Sequence, residues 1–189
     1  MRKKIVIIGG VAGGASAAAR LRRLDENLEI IILEKGDYIS FANCGLPYYI
    51  GNVIPNRDSL FLQTPTMLKN HLNIQARVAH EVIEIDKVNK TVTVKDLKTQ
   101  TTYLETYDKL ILSPGASPLL PKISGLSEAK NLFTLRNVPD TDKIKTFINI
   151  NQPKTATIIG GGFIGLEMAE NLKHLGLAVT IIEMAKQIL

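Results

Sequence analysis

The chain has 189 residues, of which 45% are hydrophobic and 22% charged, and its mean hydropathy is +0.08. That is a globular composition, which excludes disordered and collagenous classes. Its 23 basic and 18 acidic side chains leave a formal charge of +5, which favours anionic ligands. The lysines are dispersed and aromatics make up 5%, so there is no base-stacking platform, and phosphorylated small molecules fit better than nucleic acid.

No apolar run reaches the length of about eighteen residues that a membrane span needs. Ile5 to Ile8, before Gly9 and Gly10, is too short for a secretory h-region, so the expectation is a cytoplasmic protein with no membrane partner. One cysteine, Cys44, excludes an intramolecular disulfide framework and a multi-cysteine zinc site. His71, His80 and His174 lie far apart without metal-ligand spacing, and no metal site is expected.

In chain order, Lys4-Ile-Val-Ile-Ile-Gly-Gly-Val-Ala-Gly-Gly14 is an apolar run entering a glycine turn. A helical pattern over Ala12 to Leu24 and a β-rich run from Leu28 to Leu33 follow, which makes a βαβ unit. Ile30 to Leu33 is apolar without alternation, as in a parallel strand covered on both faces by helices. Val11 stands where the middle glycine of a dinucleotide turn belongs, so a phosphate would lie slightly farther from that backbone. Glu34, twenty residues after Gly14, supplies the matching acid. Arg20, Arg22 and Arg23 late in the helix read by default as a solvated face.

Cys44 lies in Ser40-Phe-Ala-Asn-Cys-Gly-Leu-Pro47, where Gly45 and Pro47 permit a turn into a short helix. A thiol at a helix amino terminus ionises more readily and can act as a nucleophile, although many lone cysteines are inert and buried. Farther on, Val82 to Asp86, Thr91 to Lys95 and Thr101 to Glu105 alternate apolar or β-branched with polar residues. They predict an antiparallel three-stranded meander inserted in the first domain, after which Lys109 to Ser113 returns the chain to the main sheet. Prolines at 114, 118, 121, 139 and 153 mark a connector with one helix near Asp140 to Ile150.

Thr155-Ala-Thr-Ile-Ile-Gly-Gly-Gly-Phe-Ile-Gly165 then repeats the first unit, followed by a helical pattern to Leu175 and a β-rich run from Ala178 to Ile182. Gly160, Gly162 and Gly165 complete the GxGxxG pattern: tight turn, close approach of a pyrophosphate, and close packing of helix on strand. Glu183, eighteen residues after Gly165, can accept hydrogen bonds from a ribose diol and would repel a 2′-phosphate, favouring NADH over NADPH. Phe163 taken alone reads equally well as core. Two dinucleotide units suggest two cofactors that exchange electrons, one nicotinamide and one flavin.

The fold class is therefore α/β, with two Rossmann-like units on parallel sheets, the first carrying the meander. The expected domains are a first dinucleotide-binding domain over residues 1–118, a connector over 119–153, and the start of a second dinucleotide-binding domain over 154–189. The second sheet has too few strands when the sequence stops, so the chain is expected to be the amino-terminal part of a longer protein.

The segments Ile8 to Ala15, Ser40 to Pro47, Tyr107 to Ala116 and Gly160 to Glu167 resemble the pyridine nucleotide-disulfide oxidoreductases. The resemblance is to the single-cysteine branch that contains coenzyme A disulfide reductases; it covers essentially the whole chain, and the cysteine segment is its most specific part. It implies FAD on the first unit, with Gly9, Gly10, Val11, Ala12 and Gly13 at the pyrophosphate and Glu34, with Lys35, at the adenosine ribose. Asn43, Ser113, Pro114, Gly115, Ala116 and Arg136 match further flavin-side positions. On the nicotinamide side it implies Gly160, Gly162, Ile164, Gly165 and Glu183, with Phe163 as an aromatic gate over the flavin and Glu167 near the nicotinamide. Ser16, Arg20, Arg23, Ser40 and Asn43 match positions that contact coenzyme A.

The implied activity is electron transfer from NADH, with NADPH possible, through FAD to a disulfide between Cys44 and coenzyme A. The substrate is a coenzyme A disulfide or a related persulfide or polysulfide, and the full-length protein is implied to be a homodimer. Enzymes of the wider family with paired cysteines cycle through an internal disulfide, whereas here the second sulfur comes from the substrate. Two alternatives are an NADH oxidase or peroxidase with a cysteine sulfenic acid, and a nucleotide-binding fragment without turnover.

Overall fold

The computed structural model describes residues 2–188. In chain order, β1 (Lys4–Ile8) leads through the first glycine turn into α1 (Ala12–Leu24) and β2 (Glu29–Glu34). A 3-10 turn at Asn43–Gly45 opens into the short helix α2 (Leu46–Ile50), and a second at Arg57–Leu60 precedes α3 (Pro65–Leu72) and β3 (Gln75–Val78). Then come β4 (His80–Asp86), β5 (Thr91–Asp96), β6 (Thr102–Thr106) and β7 (Lys109–Leu112). After a 3-10 turn at Leu126–Glu128, α4 (Val138–Asn151), β8 (Thr155–Ile159), α5 (Phe163–His174) and β9 (Ala178–Ile182) complete the described chain. No described helix is long and apolar enough to cross a membrane.

Contacts divide the chain into two compact units. The first runs to Phe41 and resumes over Phe61–Ala116; the second comprises Ala42–Leu60 and the residues from Ser117 onward. The cysteine segment thus groups with the second glycine turn, although the linear sequence places it after the first.

In the first unit, four parallel strands lie in the order β3-β2-β1-β7, with Val6 opposite both Ile31 and Leu110. Ile5, Ile7, Ile30 and Ile32 pack on one face with Ala18 of α1 and Leu68 of α3. Val6, Ile31 and Leu33 pack on the other face against Val92 and Val94 of β5. This corrects the expectation of helices on both faces. The antiparallel sheet β4-β5-β6 covers the second face, because the Thr-Val-Thr-Val alternation of β5 turns every second residue inward. Burying each such branched side chain contributes roughly 1.5–3 kcal/mol.

The carboxylate of Glu105 on β6 is buried with Val92 and Val94 in this unit. It accepts hydrogen bonds from Lys4 on β1 and, at 2.5 Å, from Arg77 on β3, whose guanidinium also donates to the Tyr103 hydroxyl at 2.9 Å. Burial pushes this carboxyl up, but the bonds and charges of Lys4 and Arg77 outweigh that and hold it below the usual range.

Periodicity assigns no element to the stretch containing α3 and β3, which is short and half-apolar. Its local signals are the Thr64 cap, whose hydroxyl accepts from the Met67 amide at 3.2 Å, Pro65 at the start of the helix, and Asn73 closing it at φ +47°. In the second unit, β8 and β9 pair in parallel, and Ile50, Ile144, Met168, Leu172 and Leu177 form the core with α4 and α5. Helix α4 begins at Val138, two residues before the expected start. Asn137 accepts from the Asp140 amide at 2.9 Å, and Asp140 accepts in return from the Arg136 amide at 3.1 Å.

Candidate functional site

The first glycine turn is shaped by steric necessity. Gly9 has φ +93°, and a Cβ there would lie 2.0 Å from the Ser113 carbonyl oxygen. A Cβ on Gly14 would lie 1.8 Å from the Gly9 carbonyl oxygen, so the start of α1 approaches the end of β1 as closely as a backbone can. The Ser113 amide donates to Ile8 at 2.8 Å, which holds Ser113 beside the turn; Pro114, Gly115 and Ala116 follow it, exposed. Helix α1 has neither a side-chain cap at Val11 nor an acid in its first turn, so Ala12 and Gly13 offer exposed amide dipoles to an anion.

Glu34 fastens this turn. One carboxylate oxygen accepts from the Gly10 amide at 2.7 Å, and the other accepts from the Gly36 amide at 2.7 Å. Lys35, beside it, is exposed and paired with Glu81 at 2.8 Å. Along α1, Ser16, Arg20 and Arg23 are exposed at helical spacing. Arg22 differs from its neighbours: its guanidinium donates to the carbonyls of Leu72, Glu26, Leu28 and Asn73, joining the ends of α1 and α3.

The second turn repeats the first. Gly160 has φ +110°, and a Cβ on Gly165 would lie 2.0 Å from its carbonyl oxygen. Glu183 accepts from the Gly161 amide at 2.6 Å and the Ala185 amide at 2.8 Å, and these bonds, that of Ala185 foremost, hold its carboxyl below the usual range. Gly162 has φ −77°, which any residue adopts, and a Cβ there would meet nothing within 4 Å. The polypeptide therefore leaves space at this glycine, as the close approach of a pyrophosphate requires. Helix α5 likewise starts without a side-chain cap or an acid. Phe163 is 75% exposed and Ile164 54%, so Phe163 is not a core residue. Glu167 is half-buried, and its carbonyl accepts from the Asn171 side chain at 2.8 Å. The residues at both turns fit a dinucleotide.

In the cysteine segment, Ser40 has φ +47°, a left-handed conformation rare for serine. Asn43 and Cys44 stand in the 3-10 turn ahead of α2. Cys44 is exposed and in no disulfide, and the Asn43 side-chain oxygen is buried without a hydrogen-bond partner. Such a buried acceptor is costly unless another group completes it. Arg136 is half-buried at the mouth of α4, where its amide serves the cap described above.

The structure thus brings Gly9 to Gly13, Glu34 and Ser113 together in the first unit, and Gly160 to Gly165 with Glu183 in the second. Sequence reasoning passed over the amides of Gly10 and Gly161 as partners of the two acids. The shared Gly-Gly pair of the internal repeat is the signal that marks them.

The model of the pyridine nucleotide-disulphide oxidoreductase family matches residues 3–189. The chain belongs to this family. A coenzyme A disulfide reductase of Staphylococcus epidermidis is 46% identical over 185 residues, covering 98% of this chain and 41% of the relative. A crystal structure of reduced Bacillus anthracis CoADR-RHD is 59% identical with a TM-score of 0.97, covering 100% of this chain and 34% of that one. A NAD-dependent persulfide reductase from A. fulgidus is 37% identical with a TM-score of 0.91, covering 98% of this chain and 34% of its own. The chain spans about two-fifths of the curated relative, 41% of its length. Pyridine nucleotide-disulphide oxidoreductases generally use FAD and NAD(P)H, and the chain carries two glycine turns.

Proposed function

We propose that this chain is the cofactor-binding part of a flavin-dependent reductase whose electrons pass from NAD(P)H to Cys44 and on to a coenzyme A disulfide. The observation that carries the reading is an exposed thiol in a chain with two dinucleotide turns and no second cysteine. Relatives named coenzyme A disulfide reductase support the substrate class, and the persulfide reductase supports a persulfide or polysulfide as the related substrate. In this reading the FAD domain takes residues 1–118 apart from Ala42–Leu60, which pack with the second unit, and the residues from 119 onward supply the connecting helix and the NAD(P)H turn, within a cytoplasmic homodimer.

Gly9 to Gly13 and the start of α1 hold the FAD pyrophosphate, Glu34 the ribose, and Asn43, Ser113 to Ala116 and Arg136 the rest of the flavin. Gly160, Gly162, Ile164 and Gly165 hold the nicotinamide nucleotide beside Phe163 and Glu167, and Glu183 selects NADH by accepting from its ribose diol. Bound FAD would relay two electrons from the nicotinamide to the cysteine sulfur. The Cys44 thiolate attacks one sulfur of the substrate, breaking its S–S bond, forming a Cys44–coenzyme A disulfide and releasing one thiolate. Two electrons and one proton then cleave that mixed disulfide, freeing the second coenzyme A thiol and restoring the Cys44 thiolate. Ser16, Arg20, Arg23, Ser40 and Asn43 are the residues proposed to contact the coenzyme A portion.

Cys44→Ser tests this. Anaerobic bleaching of the flavin by NADH is expected to survive, while turnover of coenzyme A disulfide falls by at least about a thousandfold. Retained turnover would overturn the assignment. Steady-state comparison with polysulfide, oxygen and peroxide separates a persulfide reductase and a sulfenic-acid oxidase from the proposed activity.

A further inference from the structure

The helix that Cys44 leads into is held at its far end by one residue, Lys145, and approached there by another, Asn171, neither with a part in the reading above. Lys145, half-buried on α4, donates to the Tyr49 carbonyl and, at 2.7 Å, to the Asn52 side-chain oxygen. Its ammonium also lies 4.0 Å from the centre of the Tyr49 ring. Asn52 has φ +62°, so the chain leaves α2 through a left-handed residue whose side chain is tied back to Lys145. From α5, Asn171 is 1% exposed and donates to the Glu167 carbonyl at 2.8 Å. A Cβ on Gly51 would lie 2.3 Å from the Asn171 side-chain oxygen, so α5 meets the end of α2 at backbone distance.

Burial lowers the pKa of Lys145, so drawing this ammonium out of water opposes its charged form. An apolar side chain would fill the site without that cost; the ammonium contributes a fixed geometry instead. Ile50, the last residue of α2, is fully buried in the core shared with α4 and α5. A helix of five residues has little stability of its own, so these anchors set where it lies and how the preceding turn presents its thiol.

We propose that Lys145 is a positioning residue for Cys44, holding the end of α2 from α4 where Asn171 of α5 packs against it. This rests on the reading of Cys44 as the redox cysteine. The test uses Lys145→Met, Lys145→Arg and Asn52→Gly in the intact, flavin-loaded protein. Asn52→Gly removes one acceptor while keeping a residue at ease at positive φ. Alkylation of native Cys44 by iodoacetamide is followed by mass, with kcat and KM for coenzyme A disulfide and the rate of flavin bleaching by NADH.

Lys145→Met and Asn52→Gly are expected to raise the alkylation rate several-fold and to lower kcat about tenfold, since small misplacements of a reacting group cost that much. Flavin bleaching stays at the wild-type rate, and Lys145→Arg returns alkylation and kcat toward wild type. Wild-type alkylation and kcat in Asn52→Gly, and in Lys145→Met where it folds, would overturn the proposal. Turnover retained by Cys44→Ser would instead remove the redox reading, while the alkylation rates still report the hold of Lys145 on α2.

Discussion

Glu34 accepts a hydrogen bond from the Gly10 amide at 2.7 Å, and Glu183 stands in the same relation to Gly161 at 2.6 Å. Each acid closes the second strand of its βαβ unit and fastens the glycine turn that follows the first. The two halves of the internal repeat thus share a device as well as a sequence pattern. Each carboxylate also accepts from an amide just beyond its own strand, which leaves it acceptor capacity for a ribose.

Glu183→Gln tests the nucleotide choice. A glutamine has one acceptor oxygen for the two amides of Gly161 and Ala185, and it lacks the charge that repels a 2′-phosphate. We expect NADH affinity to fall roughly tenfold and the preference for NADH over NADPH to narrow by a similar factor. Nucleotide titrations monitored by flavin fluorescence check both; an unchanged preference would remove Glu183 from the selection.

Gly14→Ala and Gly162→Ala separate folding from ligand approach. The first places a Cβ 1.8 Å from the Gly9 carbonyl oxygen, and we expect a loss of about 1–3 kcal/mol with reduced flavin content. The second meets no protein atom, so thermal stability should stay within about 0.5 kcal/mol. Affinity for the nicotinamide nucleotide should nevertheless drop at least about tenfold. An equal loss of stability in both variants would contradict this division.

Glu105 predicts acid sensitivity of the first unit. Its carboxyl is held below the usual range by Lys4 and Arg77 against the opposing effect of burial. Its contribution is therefore complete above the unfolded glutamate value of about 4.3 and is lost as pH falls through the lower folded value. Glu105→Ala should cost about 3 kcal/mol at neutral pH by leaving two cations without their partner, and should flatten the stability profile below about pH 4. Urea denaturation across pH checks both.

The glycine turns, their acids and the meander were legible because each rests on local chemistry: a positive φ, an uncapped helix start, or an alternation of period two. Helix α3 and β3 were not, since eight and four half-apolar residues give too short a period to read. Phe163 illustrates a different limit, because an aromatic residue at a helix start carries no sign of whether it faces inward, and here it is 75% exposed.

By itself, the sequence determined a repeated strand-turn-helix unit, its two candidate acids and a single thiol, because glycine geometry and residue chemistry act within a few residues of chain. Tertiary structure decided that a β-sheet rather than helices covers the second face of the first sheet, that Arg22 serves backbone carbonyls, and that the cysteine segment packs with α4 and α5. Each of these depends on atoms far apart in sequence, where burial and hydrogen-bond completion select among partners that local patterns leave equivalent.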